Sequence, residues 1–203
     1  MLSELNISHE IVAFMGNEGA GKTTIAEIVA ADSGLDVIVT GELVRAAKKR
    51  AILPGASALD LECKDTLDNH RYVTAHMFTQ ILAAELSKEK YAKGVIIDGS
   101  CRTLDETIDF WETLKTIDRE MPFTMVHLRI SAWKSIERLI GANRPGREAD
   151  DTPEAILKRI MQYNKDLAGR VNVIKKHGKI VHADVSGTKE RALENVYTAL
   201  RNR

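Results

Sequence analysis

Gly16, Gly21, Lys22 and Thr23, within Gly16–Thr24 (GNEGAGKTT), stand at a spacing suited to phosphate chemistry. They fit the pattern G-x-x-x-x-G-K-[ST] without a mismatch. Glycines let the backbone curl so that successive N–H groups, from Glu18, Gly19 and Ala20 onward, point at one anion. A helix beginning at Lys22–Thr24 adds its unsatisfied amides and positive dipole end. Lys22 then reaches the outer phosphates, and the Thr23 hydroxyl is placed to ligate Mg²⁺. The plain alternative is a glycine turn that happens to precede a helix. The apolar run Ile11–Met15 before the turn and the amphipathic pattern after it supply the strand–loop–helix context that the phosphate reading requires. This stretch predicts a nucleoside triphosphate site.

The elements that would hold such a site are short apolar runs alternating with helical patterns. Runs at Ile11–Met15, Asp36–Thr40, Gly94–Asp98, Thr124–Ile130 and Lys179–Asp184 read as strands. Between them the apolar spacing predicts helices over Thr23–Ala31, Gly41–Arg50, most of Glu62–Ala92, Thr103–Lys115, Ser131–Ile140, Thr152–Lys176 and Thr188–Leu200. Ser131 and Thr152-Pro153 are helix starts. The alternation predicts an α/β fold: a parallel sheet of about five strands between two helical layers, in a single domain.

The 203 residues suffice for a sizeable core, and Lys+Arg and Asp+Glu balance at 29 each, so no global field draws the chain to nucleic acid or to an anionic membrane. Two cysteines, Cys63 and Cys101, are too few for a disulfide scaffold or a cysteine zinc site and read as free thiols. No apolar run approaches membrane-spanning length, and MLSELNISHE lacks a secretion signal; the expectation is a cytoplasmic protein. His127 reads as a satisfied core or rim histidine, and His177 and His182 lack metal-ligand spacing.

Three further stretches carry a resemblance. Thr40-Gly41-Glu42-Leu43-Val44-Arg45 is similar to the T-G-[DE]-x-x-R segment of the adenylate kinase family of nucleoside monophosphate kinases. Asp98-Gly99-Ser100-Cys101-Arg102-Thr103 resembles its D-G-[FY]-P-R-T stretch. Arg138, Asp150-Asp151, Glu154, Arg159 and Tyr163 follow its lid pattern. The resemblance runs from Ile11 to Val196. It implies a P-loop fold with a core at 1–40, 93–140 and 152–203, a mobile monophosphate-binding segment over about 41–72 and a short mobile lid over about 141–151. The lid's expected flexible points are Gly141 and Gly146. It implies a monomer that moves the γ-phosphate of ATP to a nucleoside monophosphate, AMP first among them, with Mg²⁺. Thr40, Gly41, Arg45, Gly99, Arg102 and Glu106 would hold the acceptor. Lys22, Arg102, Arg138, Arg147 and Arg159 would neutralise charge on the transferring group, with Arg147 and Arg159 also touching the acceptor. Arg138 would also bind ATP, the backbone near Ser186-Gly187 would hold its base, and Asp98 would hold water on the metal. Arginine suits these tasks because its planar fork binds phosphate bidentately and stays charged.

The chain departs from the family pattern at several positions. Cys101 replaces a proline, so the peptide before it is expected to be trans. A Val-Pro pair is missing near Tyr72-Val73. The spacing of Arg147 from Asp150 leaves Arg144 as an alternative lid arginine. Glu106 stands where a glutamine is usual. An ionised carboxylate only accepts hydrogen bonds, which would leave adenine N1 without a donor and suits CMP, UMP or a guanine nucleotide as well. A nucleotide-binding module without turnover is the rival from another class. Lys22, Arg102 and Arg159 together argue against it.

Overall fold

The computed structural model describes residues 5–69, 73–117, 121–142 and 151–203. Arg144, Gly146, Arg147, Asp150 and Tyr72 lie outside them, so the expectations about the lid arginine and the missing Val-Pro pair fall outside the described residues. The chain runs β1 (Ile11–Gly16), α1 (Lys22–Ser33), β2 (Asp36–Val39), α2 (Thr40–Arg50), α3 (Ala58–Asp68), α4 (Ala75–Leu86), β3 (Val95–Asp98), α5 (Leu104–Leu114), β4 (Phe123–Arg129), α6 (Ala132–Gly141), α7 (Pro153–Lys165), α8 (Leu167–His177), β5 (Lys179–Asp184) and α9 (Lys189–Arg201). The strands form one parallel sheet in the order β2-β3-β1-β4-β5.

β1 lies at the centre, and all six of its residues are buried, which is why its sequence is an unbroken apolar run. Its side chains alternate between two cores. Val12 and Phe14 pack with Ile25 and Val29 of α1 and Val196 and Leu200 of α9. Ile11, Ala13 and Met15 pack on the other face with Phe78 and Leu82 of α4, Phe110 and Trp111 of α5 and Ile174 of α8. Each such buried side chain contributes ~1.5–3 kcal/mol. The stripe expected at Val73, Met77, Ile81, Leu82 and Leu86 is a core feature, divided between this face and a smaller cluster of Ala47, Cys63, Met77 and Ile81.

The expected strands and most helices stand within a few residues of their predicted bounds. Two predicted helices are each broken in two. The pattern over Glu62–Ala92 divides into α3 and α4, because Thr74 caps a new helix by accepting the Met77 N–H at 3.2 Å. The pattern over Thr152–Lys176 breaks at Asp166 (φ −108°, ψ 9°), which ends α7 and opens α8. Ser131 and Thr152 cap α6 and α7 as predicted, accepting the amides of Lys134 and Ala155. No helix among the described residues is long and apolar enough to cross a membrane. Cys63 and Cys101 are both buried free thiols, and burial pushes that of Cys101 up to about 12.

Candidate active site

Register brings the predicted motifs to one edge of the sheet. Phe14 pairs with Asp98 and Val39 with Asp98, while Gly16 pairs with Leu128. The carboxyl ends of β1, β2 and β3 therefore release the phosphate loop, Thr40 and Gly99 side by side, where ligands of α/β sheets bind.

The phosphate loop is held from outside by its neighbours. Gly16 has φ +157°, and a Cβ there would stand 2.7 Å from the Leu128 carbonyl oxygen, so no larger residue fits. Ala20 is buried, and its N–H donates to the Asn17 carbonyl at 3.2 Å. Ser135 of α6 donates its hydroxyl to the Glu18 carbonyl. Gly19 packs against Ser135 and Leu139. The N-cap of α1 is Gly21, which has no side chain to satisfy the first amides. These donors, over Lys22, Thr23 and Thr24, remain for an anion.

Lys22 bends back over the loop and donates from Nζ to the carbonyls of Gly16 at 2.9 Å and Asn17 at 3.0 Å. Burial lowers its pKa; Asp98 and Glu18 oppose that, and Arg102 adds to it. Thr23 donates from Oγ1 to Asp98 Oδ2 at 2.5 Å. Asp98 is 5% exposed, and its Oδ1 is buried without a hydrogen-bond partner among the described residues.

The two arginine-bearing motifs of the acceptor side interlock. Arg102 donates from Nε to the Gly99 carbonyl and from Nη2 to Thr40 Oγ1, both at 2.7 Å. Thr40 in turn donates to the Gly99 carbonyl at 3.2 Å. Gly99 adopts φ +88°, with Thr40 Oγ1 only 3.0 Å from where a Cβ would stand. The peptide before Cys101 is trans, and Cys101 itself has φ +56°. Arg45 is exposed and folds over Gly41, Nη1 lying 3.3 Å from that glycine's virtual Cβ.

Arg159 crosses to the phosphate loop, with Nη2 3.1 Å from Glu18 Oε2 and 3.4 Å from Asp151 Oδ1. Arg138 donates from Nη2 to the carbonyls of Val185 and Gly187, both at 2.7 Å, and from Nη1 to that of Gly19 at 3.3 Å. It thus joins the phosphate loop to the β5–α9 connection. All three of these donations go to backbone carbonyls.

Glu106 lies in the first turn of α5, 8% exposed, its Oε1 buried without a hydrogen-bond partner among the described residues. Burial raises its pKa, against the opposing pull of Arg102, of the Arg102 and Cys101 amides and of Arg170. Burial thus works against the ionised form in which this carboxyl would only accept hydrogen bonds. Ser135 and the fully buried Arg170 were not singled out from the sequence. His127 is half-buried and held neutral, its pKa lowered to about 4 by burial and by His182, whose ring lies 5.3 Å away. Its Nδ1 has no partner among the described residues, so it is a rim histidine but not a satisfied one. His177 stacks on Trp111. No group of three or more His, Cys, Asp or Glu suited to a metal occurs among the described residues.

The family model described as Adenylate kinase matches residues 14–179. Curated relatives of that name include one from Bacteroides fragilis, 29% identical over 189 residues, covering 93% of this chain and 97% of the relative. One from Phocaeicola vulgatus is 28% identical with the same coverage. One from Xanthomonas euvesicatoria pv. vesicatoria is 29% identical over 190 residues, covering 93% of this chain and 98% of its own. With its phosphate loop, its T-G and D-G segments at one sheet edge and a family match spanning most of its length, this chain belongs to the adenylate kinase family.

Proposed function

We propose that the protein transfers the γ-phosphate of ATP to AMP, forming two ADP. The observation that carries this reading is the junction at the carboxyl ends of β1, β2 and β3, where Thr23 donates to Asp98 and Arg102 donates to both Thr40 and the Gly99 carbonyl. It supports an anion cradle and an acceptor-side arginine that serve one gap. Transfer between two nucleotides gathers several negative charges there, and catalysis consists mostly of holding them in line and neutralising them. The loop amides and Lys22 hold the donor phosphates. Arg102 and Arg45 take the acceptor's phosphate, and Arg159 reaches the transferring group from α7. A monophosphate oxygen is already nucleophilic, so no general base is required. The segments at about 41–72 and 141–151 would close over the gap and exclude water, with Arg147 or Arg144 supplying the lid charge.

The donor set fits Mg²⁺, which keeps several waters and needs few protein ligands. Thr23 Oγ1 sits on Asp98 Oδ2 while the buried Oδ1 is unpaired among the described residues. Thr23 would ligate the ion and Asp98 would hold its waters. Bound there, the ion would neutralise charge on the phosphates. The neutral form of Glu106 offers one O–H donor and one carbonyl acceptor, which complements adenine's N1 and amino group as an amide would. In that form the mismatch with AMP disappears, and the same donor–acceptor pair would also meet cytosine, uracil or guanine, so the choice of AMP rests on the family. With balanced charge and free thiols, the enzyme is read as a cytoplasmic monomer without nucleic-acid or membrane partners.

The test is ADP formation from ATP and Mg²⁺ with a panel of monophosphates. AMP is expected to turn over fastest, and Arg102→Ala to lose about 10²–10³-fold in kcat/KM for it. Intact ATP binding with no turnover on any monophosphate would leave a binding module instead.

A further inference from the structure

Arg170 of α8 is the largest wholly buried side chain, at 0% exposure. A buried cation ordinarily has a carboxylate against it. The Glu106 carboxyl is close enough to feel the charge of Arg170. The hydrogen bonds found for this guanidinium among the described residues, however, run from Nη1 to the Cys101 carbonyl at 3.0 Å and from Nη2 to the Tyr163 carbonyl, with Nε left without a partner there. The guanidinium also lies 4.3 Å from the centre of the Tyr163 ring. Both carbonyls are ones the local backbone leaves over. Tyr163 lies in the last turn of α7, where the break at Asp166 removes the continuing helix. Cys101 stands at φ +56°, a conformation that residues with a side chain rarely adopt.

The Cys101 carbonyl shares its peptide plane with the Arg102 N–H. Fixing that carbonyl therefore fixes the direction in which the Arg102 backbone sets out. The same guanidinium grips α7, which carries Arg159 one turn before Tyr163. A planar fork holds two carbonyls on separate nitrogens at a set separation, whereas a lysine offers them one point of donation on a flexible stem.

We propose that Arg170 is a positioning residue for the acceptor site, holding the Cys101–Arg102 peptide in its left-handed turn and fixing the distance from Arg102 to the helix that carries Arg159. It touches neither substrate and acts through Arg102. The inference rests on the phosphotransfer reading.

The experiment measures kcat and both KM values for wild type, Arg170→Lys, Arg102→Ala and the double variant, with folding checked by circular dichroism. Tyr163→Leu removes the ring under the guanidinium but keeps the carbonyl, and serves if Arg170→Lys does not fold. Arg170→Lys is expected to lose about 10- to 100-fold in kcat/KM for the monophosphate while KM for ATP stays within about twofold. Tyr163→Leu should show the same selectivity with a smaller loss, about three- to tenfold. In the Arg102→Ala background either substitution should cost no more than about twofold, because the group through which it acts is gone. Additive losses, or equal losses for both substrates, would overturn the role of Arg170 while leaving phosphotransfer standing. A wild type that makes no ADP from any monophosphate defeats both.

Discussion

Glu106 illustrates how burial alters what a residue can recognise. On an exposed helix its carboxyl would be ionised and could only accept. Here it is sequestered in the first turn of α5, and burial lifts its pKa above the ordinary 4.5. Folding therefore favours the protonated form. That contribution to stability is complete below the ordinary value and is lost as pH rises through the higher folded value. Glu106→Gln keeps the shape and stays neutral. Its stability advantage over wild type should open above pH 4.5 and level off once the folded carboxyl has ionised. Urea midpoints measured across pH would show this; a difference that does not change with pH would mean the carboxyl is not perturbed. In parallel, wild-type KM for AMP should climb with pH and that of Glu106→Gln should not. At this scale the sequence was legible where a motif names the atom, as at Lys22, Thr23 and Asp98. Arg170 was not, because a lone arginine on a helix reads as a solvated face. Only the fold lowers the Cys101 carbonyl onto it.

The strands were readable because a parallel strand buried on both faces must be an apolar run, as β1 is. The helix breaks were harder to read. Apolar spacing continues across Asn69–Thr74 and across Asp166, and neither junction holds a proline or a glycine to interrupt the pattern. The local signal at the first was Thr74, whose hydroxyl accepts the Met77 N–H at 3.2 Å. α4 buries Met77, Phe78, Ile81, Leu82 and Leu86 in two cores, so fraying its first turn loosens both. Thr74→Ala should cost about 1 kcal/mol, read as a lower urea midpoint at unchanged slope. An unmoved midpoint would show that packing alone holds that turn. The break at Asp166 had no comparable capping signal. Across that break Arg170 of α8 turns back on the Tyr163 carbonyl of α7.

Across the whole molecule, the two ends of the sheet carry different duties. The carboxyl ends of β1, β2 and β3 hold the charged groups assigned to substrates, and Lys22 and Arg102 among them donate to backbone carbonyls. At the opposite end, Glu10 directly precedes β1, 6% exposed, and its polar contacts converge. Arg203 reaches its Oε2 at 2.7 Å and donates to the Asn6 carbonyl at 2.5 Å, while Thr124 of β4 donates to Oε1. This ties α9, the stretch before β1 and β4 together, with side-chain exposures of 17% for Arg203 and 9% for Glu10. Breaking such a pair strands a buried carboxylate, at about 3–5 kcal/mol for a fully buried case and ~2–4 kcal/mol with this residual exposure. Arg203→Ala should therefore lower the urea midpoint strongly. Because the pair lies at the far end of β1 from the phosphate loop, kcat and both KM values of the folded variant should stay within about twofold of wild type. Thr74→Ala and Arg203→Ala would then weaken the fold without touching the gap, whereas Arg102→Ala would empty the gap without weakening the fold. A loss of turnover in folded Arg203→Ala comparable to that of Arg102→Ala would show that the two ends are not independent, and that the sheet transmits strain along β1 to the phosphate loop.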